Sequence, residues 1–95
     1  MDIFLALAEP TRRSIIEILA KRNHLFASEI YKSFNVTESA ISQHLKVLKE
    51  ANLVIVEKQA QHRIYKLNPL AIKELEHWTN KLHQLEQVST EYKKI

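Results

Sequence analysis

Ser39, Ser42, Lys46 and Lys49 follow one another at three- and four-residue steps with Gln43 beside Ser42, a spacing that gathers them on one side of an α-helix. Two hydroxyls, an amide and two ammonium groups on such a face can hydrogen-bond to base edges and phosphates, and short side chains enter a groove without steric penalty. Gln43 is the candidate for direct reading, because its amide can pair bidentately with adenine. Ser39 and Ser42 flank it as short donors or acceptors, while Lys46 and Thr37 are candidates to hold phosphates and set the register. His44 lies beside Ala40 and Leu48 at the edge of this face, a position better suited to packing or a phosphate edge than to base reading.

A helix over about 37–51 must carry these groups. Thr37 has the side chain of an N-cap, able to accept from an unpaired first-turn amide, and neither Pro nor Gly interrupts the positions after it. Ile41, Leu45 and Leu48 fall at i, i+4 and i+7 and define a buried stripe that Ala40, Val47 and Ala51 widen. Asn52 stands where helices end in a left-handed residue; with no glycine in the chain, asparagine is the best remaining choice. The apolar run Leu53 to Val56 then starts a strand, and His62 to Leu67 alternates as a second one across a short polar turn. The spacing predicts an antiparallel hairpin over about 53–67, a wing whose tip near Lys58, Gln59, Gln61 and Arg63 is basic and rich in amides.

The rest reads as helix. Ile3, Phe4 and Leu7 share one side of a first helix over about 2–9, and Pro10 suits the first turn of a second that runs to about Arg22. Leu25-Phe26 has the character of a short strand, Ser28 can cap a third helix over 29–34, and Asn35-Val36 makes the tight turn before Thr37. Helix, short turn and capped helix form a helix-turn-helix pattern. Asn68-Pro69 opens a last helix over about 70–88, where Leu75, Trp78, Leu82 and Leu85 have the spacing of a helix-pairing seam. The expected fold is therefore mainly α with a small β-hairpin: about five helices and a two-stranded wing in one domain over 1–95.

Composition sets bounds on function. Ninety-five residues make one domain, too small for a deep catalytic cleft beside a full core, and 45% hydrophobic content suffices for a compact fold. A net charge of +3 is compatible with nucleic acid without demanding it. Cysteine is absent, which removes disulfides, thiolate chemistry and cysteine metal sites and fits a reducing cytoplasm. No apolar run approaches the roughly 20 residues needed to span a bilayer, and no basic region precedes the first apolar residues, so neither a membrane nor secretion is expected. A cysteine nucleophile, a glycine-rich phosphate loop and a glycine-flanked serine are all missing, so no catalysis is expected.

The segments LAEPTRRSIIEIL (Leu7 to Leu19), ASEIYKSFNVTESAISQHLKVLKEANLV (Ala27 to Val54) and HRIYKLNP (His62 to Pro69) resemble the ArsR/SmtB family of bacterial winged-helix repressors. The resemblance covers nearly the whole chain and is most specific over SAISQHLKVLKEANLV. It implies a cytoplasmic homodimer, paired through first and last helices, that binds an imperfect palindrome of double-stranded DNA in a promoter. Ile3, Phe4, Leu7, Leu75, Trp78, Leu82 and Leu85 would then form the dimer interface, with Lys58, Gln61 and Arg63 of the wing on DNA.

The family's metal sites do not carry over. Metal-sensing members bear a Cys-Val-Cys-type motif in the third helix, and the matching residues here are Phe26 and Ser28, ahead of Glu29-Ile30; neither can bind a soft metal as a thiolate would. A second family site pairs Asp-x-His with His-x-x-His or His-x-x-Glu on the last helices. His83 and Glu86 match the latter half by type, but positions 70 and 72 are Leu and Ile. No metal or other cofactor is therefore expected.

Duller readings compete with several of these. The row from Ser39 to Lys46 is also what an ordinary solvated face contains. Arg12 and Arg13 are placed to pair with carboxylates such as Glu9 or Glu17 rather than with DNA. Glu38, Glu50 and Glu57 dilute the positive surface and keep open an alternative in which the same scaffold binds a protein instead of DNA.

Overall fold

In the computed structural model the backbone is described for residues 1–93 and the side chains for residues 1–86. Five helices and three strands follow in the order α1 (Ile3–Ala6), α2 (Pro10–Arg22), β1 (His24–Phe26), α3 (Ala27–Lys32), α4 (Glu38–Glu50), β2 (Val54–Gln59), β3 (His62–Leu67) and α5 (Pro69–Lys93). The strands form one antiparallel sheet in the order β1-β3-β2. The sheet thus has three strands where two were expected. His24, Leu25 and Phe26 face Lys66, Tyr65 and Ile64, so β1 extends the hairpin inward and ties it to the helices.

Each helix of the core starts and stops for a local reason. Pro10 opens α2, where the missing amide costs nothing, and the Arg12 amide donates to Glu9 Oε2 at 3.0 Å. Helix α3 begins at Ala27 rather than at Glu29, and Ser28 is not its cap. Glu29, one turn in, accepts instead from the Phe26 amide at 2.9 Å, half of a capping box, which draws the helix start forward. The first helix is one turn, shorter than expected, and the last runs beyond 88 to Lys93.

Helix α4 matches its expected limits closely. The Ala40 amide donates to Thr37 Oγ1 at 3.1 Å. At the other end Asn52 takes φ 59°, the Asn52 amide bonds to the Lys49 carbonyl, and the Leu53 amide bonds to the Leu48 carbonyl, both at 3.0 Å. That pair of bonds is a Schellman motif, and its usual hydrophobic contact is supplied by Leu48 and Leu53, both fully buried. Asn68 then locks the hairpin's exit to the same turn, through its side-chain amide to the Asn52 carbonyl at 2.8 Å and its backbone amide to the Leu53 carbonyl at 3.0 Å.

Ile15 and Leu19 of α2, Ile30 of α3, and Ile41, Leu45 and Leu48 of α4 fill the centre with Leu53. Leu25, Val54 and Tyr65 close it from the sheet. Of the residues expected to pair two copies, Ile3 is buried in this core and Leu7 and Leu75 are half-buried against it. Phe4 (41% exposed), Trp78 (44%), Leu82 (43%) and Leu85 (57%) remain open, with Phe4 and Trp78 in an edge-to-face contact at 4.9 Å.

Candidate nucleic-acid interface

With its apolar stripe sunk in the core, α4 turns Ser39, Ser42, Gln43 and Lys46 outward, and all four are exposed along with Thr37. The helix is held from both flanks. On one side Tyr31 of α3 places its hydroxyl 3.0 Å from Ser42 Oγ. On the other, Arg12 of α2 brings a guanidinium nitrogen within 3.2 Å of His44 Nδ1, and Glu9 Oε2 lies 3.7 Å from the same atom. A guanidinium only donates, so Nδ1 accepts from Arg12 when the imidazole is neutral, whereas a protonated ring turns an Nδ1–H toward Glu9. His44 is half-buried and turned toward α2, which makes it a brace for the helix and withdraws it from the row that faces solvent.

Arg12 and Arg13 are committed elsewhere than to the carboxylates expected. Arg12 Nε donates to the Ala6 carbonyl at 2.6 Å, and Arg13 donates to the Leu7 carbonyl at 2.7 Å, so both satisfy carbonyls at the end of α1 that the helix leaves without amide partners. The Glu9 carboxyl feels two opposed effects. Burial works to raise its pKa, but the Arg12 amide, the charge His44 can carry and Thr11 outweigh it and hold the pKa below the ordinary glutamate value.

Across from α4, the hairpin sets Lys58 directly opposite Arg63 and Gln59 opposite His62. Facing residues share one side of the sheet, and like charges so placed repel unless an anion lies between or above them. Glu57, which weighed against a basic surface, points to the reverse side of the hairpin and pairs with Lys66 at 3.1 Å. Gln61 is exposed at the tip, beside Ala60 at φ 56°. The strained turn residue is an alanine because the chain has no glycine to offer.

Helix and hairpin meet in a cleft of about 290 Å³ lined by Ser42, Gln43, Leu45, Lys46, Lys49, Val56, Arg63 and Tyr65. Three cations, two polar tips and a phenol surround it. Burial raises the Tyr65 pKa, with Arg63 opposing the shift, so the phenol stays neutral and can donate into the cleft. The structure therefore brings Ser42, Gln43, Lys46 and Arg63 together in one concavity, and sets Thr37, Ser39, Lys58 and Gln61 on exposed surface outside it.

Tyr31, Tyr65 and Arg12 are the members that the residue pattern did not single out for this site. Tyr31 and Ser42 are 11 positions apart on different helices, and Arg12 and His44 are 32 apart, so no periodicity connects them. Tyr65 was visible as one residue of an alternating strand, and only the hairpin's packing on α4 gives it a place in the cleft.

On α5, His83 Nδ1 lies 3.8 Å from Glu86 Oε2 with both side chains about three-quarters exposed. Among the described residues no group of three or more His, Asp or Glu is placed to hold a metal ion. None of the described helices is long and apolar enough to cross a membrane.

Residues 9–56 match the family model described as bacterial regulatory protein, arsR family. The transcriptional repressor SdpR of Bacillus subtilis (strain 168) is 32% identical over 77 residues, covering 81% of this chain and 84% of its own length. The HTH-type transcriptional regulator Rv2034 of Mycobacterium tuberculosis is 43% identical over 67 residues, which span 70% of this chain and 62% of that protein. Among solved structures, a possible transcriptional regulator for arsenical resistance superposes with a TM-score of 0.78 at 31% identity, over 96% of each chain.

Proposed function

The chain belongs to the arsR family of bacterial regulatory proteins and is a DNA-binding transcriptional regulator; on that premise we propose that it works as a cytoplasmic homodimeric repressor of an imperfectly palindromic operator. In this reading α4 enters the major groove. Gln43 reads adenine and Ser39 and Ser42 read neighbouring edges, while Thr37, Lys46, Lys58, Gln61 and Arg63 hold phosphates. Thr37 can do so while capping α4, because its oxygen accepts from Ala40 and its O–H remains free to donate.

The observation that carries the reading is the juxtaposition of a braced polar helix face with Arg63 across one cleft, with Lys58 facing Arg63 on the hairpin outside it. The open apolar residues Phe4, Trp78, Leu82 and Leu85 support pairing of two copies through α1 and α5. A two-fold dimer would set two copies of α4 about 34 Å apart, one turn of the double helix, which is why the operator should be palindromic.

A mobility shift with the chain's own promoter fragment at two salt concentrations tests this. Tight, sequence-selective binding that weakens steeply with salt is the expected result. Equal affinity for a scrambled fragment at both salts overturns it.

A further inference from the structure

Serine is an ambiguous reader. Its hydroxyl can donate to guanine, adenine or thymine acceptors, and it can equally accept from the cytosine amino group, so a free serine discriminates poorly between base edges. Ser42 is not free in this sense, because Tyr31 Oη lies 3.0 Å from its oxygen.

Which hydroxyl donates decides what Ser42 can read. A phenol is a stronger hydrogen-bond donor than an aliphatic alcohol, and a serine oxygen is the better acceptor of the two. Arg63 lines both the cleft that holds Ser42 and Tyr65 and the smaller cleft that holds Tyr31. Tyr31 is half-buried and packs against the core, whereas Ser42 is exposed, so the phenol is the fixed partner and the serine the adjustable one.

Resting on the DNA-reading role of α4, we propose that Tyr31 is a specificity-determining positioning residue, which donates to Ser42 Oγ and commits the serine proton outward. Ser42 then presents a donor to the groove. It favours base pairs that offer an acceptor there, such as guanine N7 and O6, adenine N7 or thymine O4, and disfavours the cytosine amino group. Tyr31 itself touches no base in this arrangement and acts through the serine.

Selection of bound sequences from an operator randomised at each position tests the idea, run in parallel on the wild type, Tyr31→Phe, Ser42→Ala and the double variant. Tyr31→Phe keeps the ring and removes only the hydroxyl, and its folding is checked by thermal unfolding. The wild type should disfavour cytosine at one position per half-site by about tenfold, the size of one good hydrogen bond. Tyr31→Phe should bring that ratio to within about twofold and leave the Gln43 position and the salt dependence unchanged. Ser42→Ala should lose the same preference, and the double variant should match it, since Tyr31 has nothing left to orient.

A Tyr31→Phe protein with the wild-type preference at every position overturns the proposal, as does an equal loss at all positions, which marks a purely structural role. A wild type that selects no sequence at all sinks the DNA-reading account first, and this inference with it.

Discussion

Helices α4 and α5 each leave one face uncovered, and the two faces are opposite in kind. The open face of α4 carries Ser39, Ser42, Gln43 and Lys46, while that of α5 carries Trp78, Leu82 and Leu85. A polar face loses nothing by waiting in water, so α4 can stand finished in the single chain, capped at both ends and braced by Tyr31 and Arg12. An apolar face costs free energy until it is covered, at about 25 cal/mol per Å². On the proposed reading, the DNA-facing surface is complete within one chain, whereas the apolar face of α5 is the part that pairing with a second copy would cover.

The sharpest way to break this comparison is to truncate one leucine on each side. Leu45→Ala, in the sealed stripe of α4, should cost about 2 to 5 kcal/mol in urea unfolding, at every protein concentration. Leu82→Ala should cost little in a dilute sample and progressively more as concentration rises, because its loss falls on association. Sedimentation equilibrium supplies the second reading, with a shift toward monomer for Leu82→Ala and none for Leu45→Ala among molecules that remain folded. Matching concentration dependence in the two variants would erase the distinction between the faces.

Gln43→Ala comes next in size. It should remove about 1 to 3 kcal/mol of discrimination at one adenine and leave both fold and association unchanged. Lys46→Ala should instead weaken all sequences alike and lower the salt slope by about one. Titrations of matched and base-substituted operators at several salts separate the two. Full operator preference in Gln43→Ala would take that residue out of the reading role.

What the residues alone disclosed follows the reach of the forces involved. The cap at Thr37, the stripe of Ile41, Leu45 and Leu48 and the left-handed Asn52 are all set by contacts within a turn or two, and the structure has each of them where the pattern placed it. Leu25-Phe26 was legible as a short strand, but its pairing with β3 some 40 positions away was not, so the wing read as two-stranded. The start of α3 turned on whether Ser28 or Glu29 satisfies the first amides, and both residue types suit a helix beginning. The partners of Arg12, Arg13, Tyr31 and His44 were hidden for the same reason as the pairing of β1: guanidinium and phenol groups find whatever the fold carries to them.

The brace on the α2 side of α4 predicts a pH dependence. Glu9 has its pKa held below the ordinary value in the fold, so its contacts favour folding above the unfolded pKa, roughly 4.3, and are lost as pH falls through the lower folded value. Thermal midpoints should therefore decline between about pH 5 and pH 3. Glu9→Gln should flatten this part of the curve, and the same titration on a Trp78→Ala protein should leave it intact. An unchanged acid limb in Glu9→Gln would assign the effect to other carboxylates.

The smallest effect is expected at the wing tip. Ala60 holds φ 56°, a left-handed conformation that costs an alanine roughly 1 kcal/mol and a glycine almost nothing. Ala60→Gly removes that strain, but the more flexible unfolded chain offsets part of the gain, leaving about 0.5 kcal/mol or less of added stability. Because Lys58 and Arg63 repel each other across the same turn, relaxing it should also let the two cations part slightly in the free protein. Operator affinity should then fall a little while the thermal midpoint rises, whereas a substitution on the α5 face moves association alone. A rise in both affinity and stability would mean that the tip's strain serves no purpose in holding the two cations together for a phosphate.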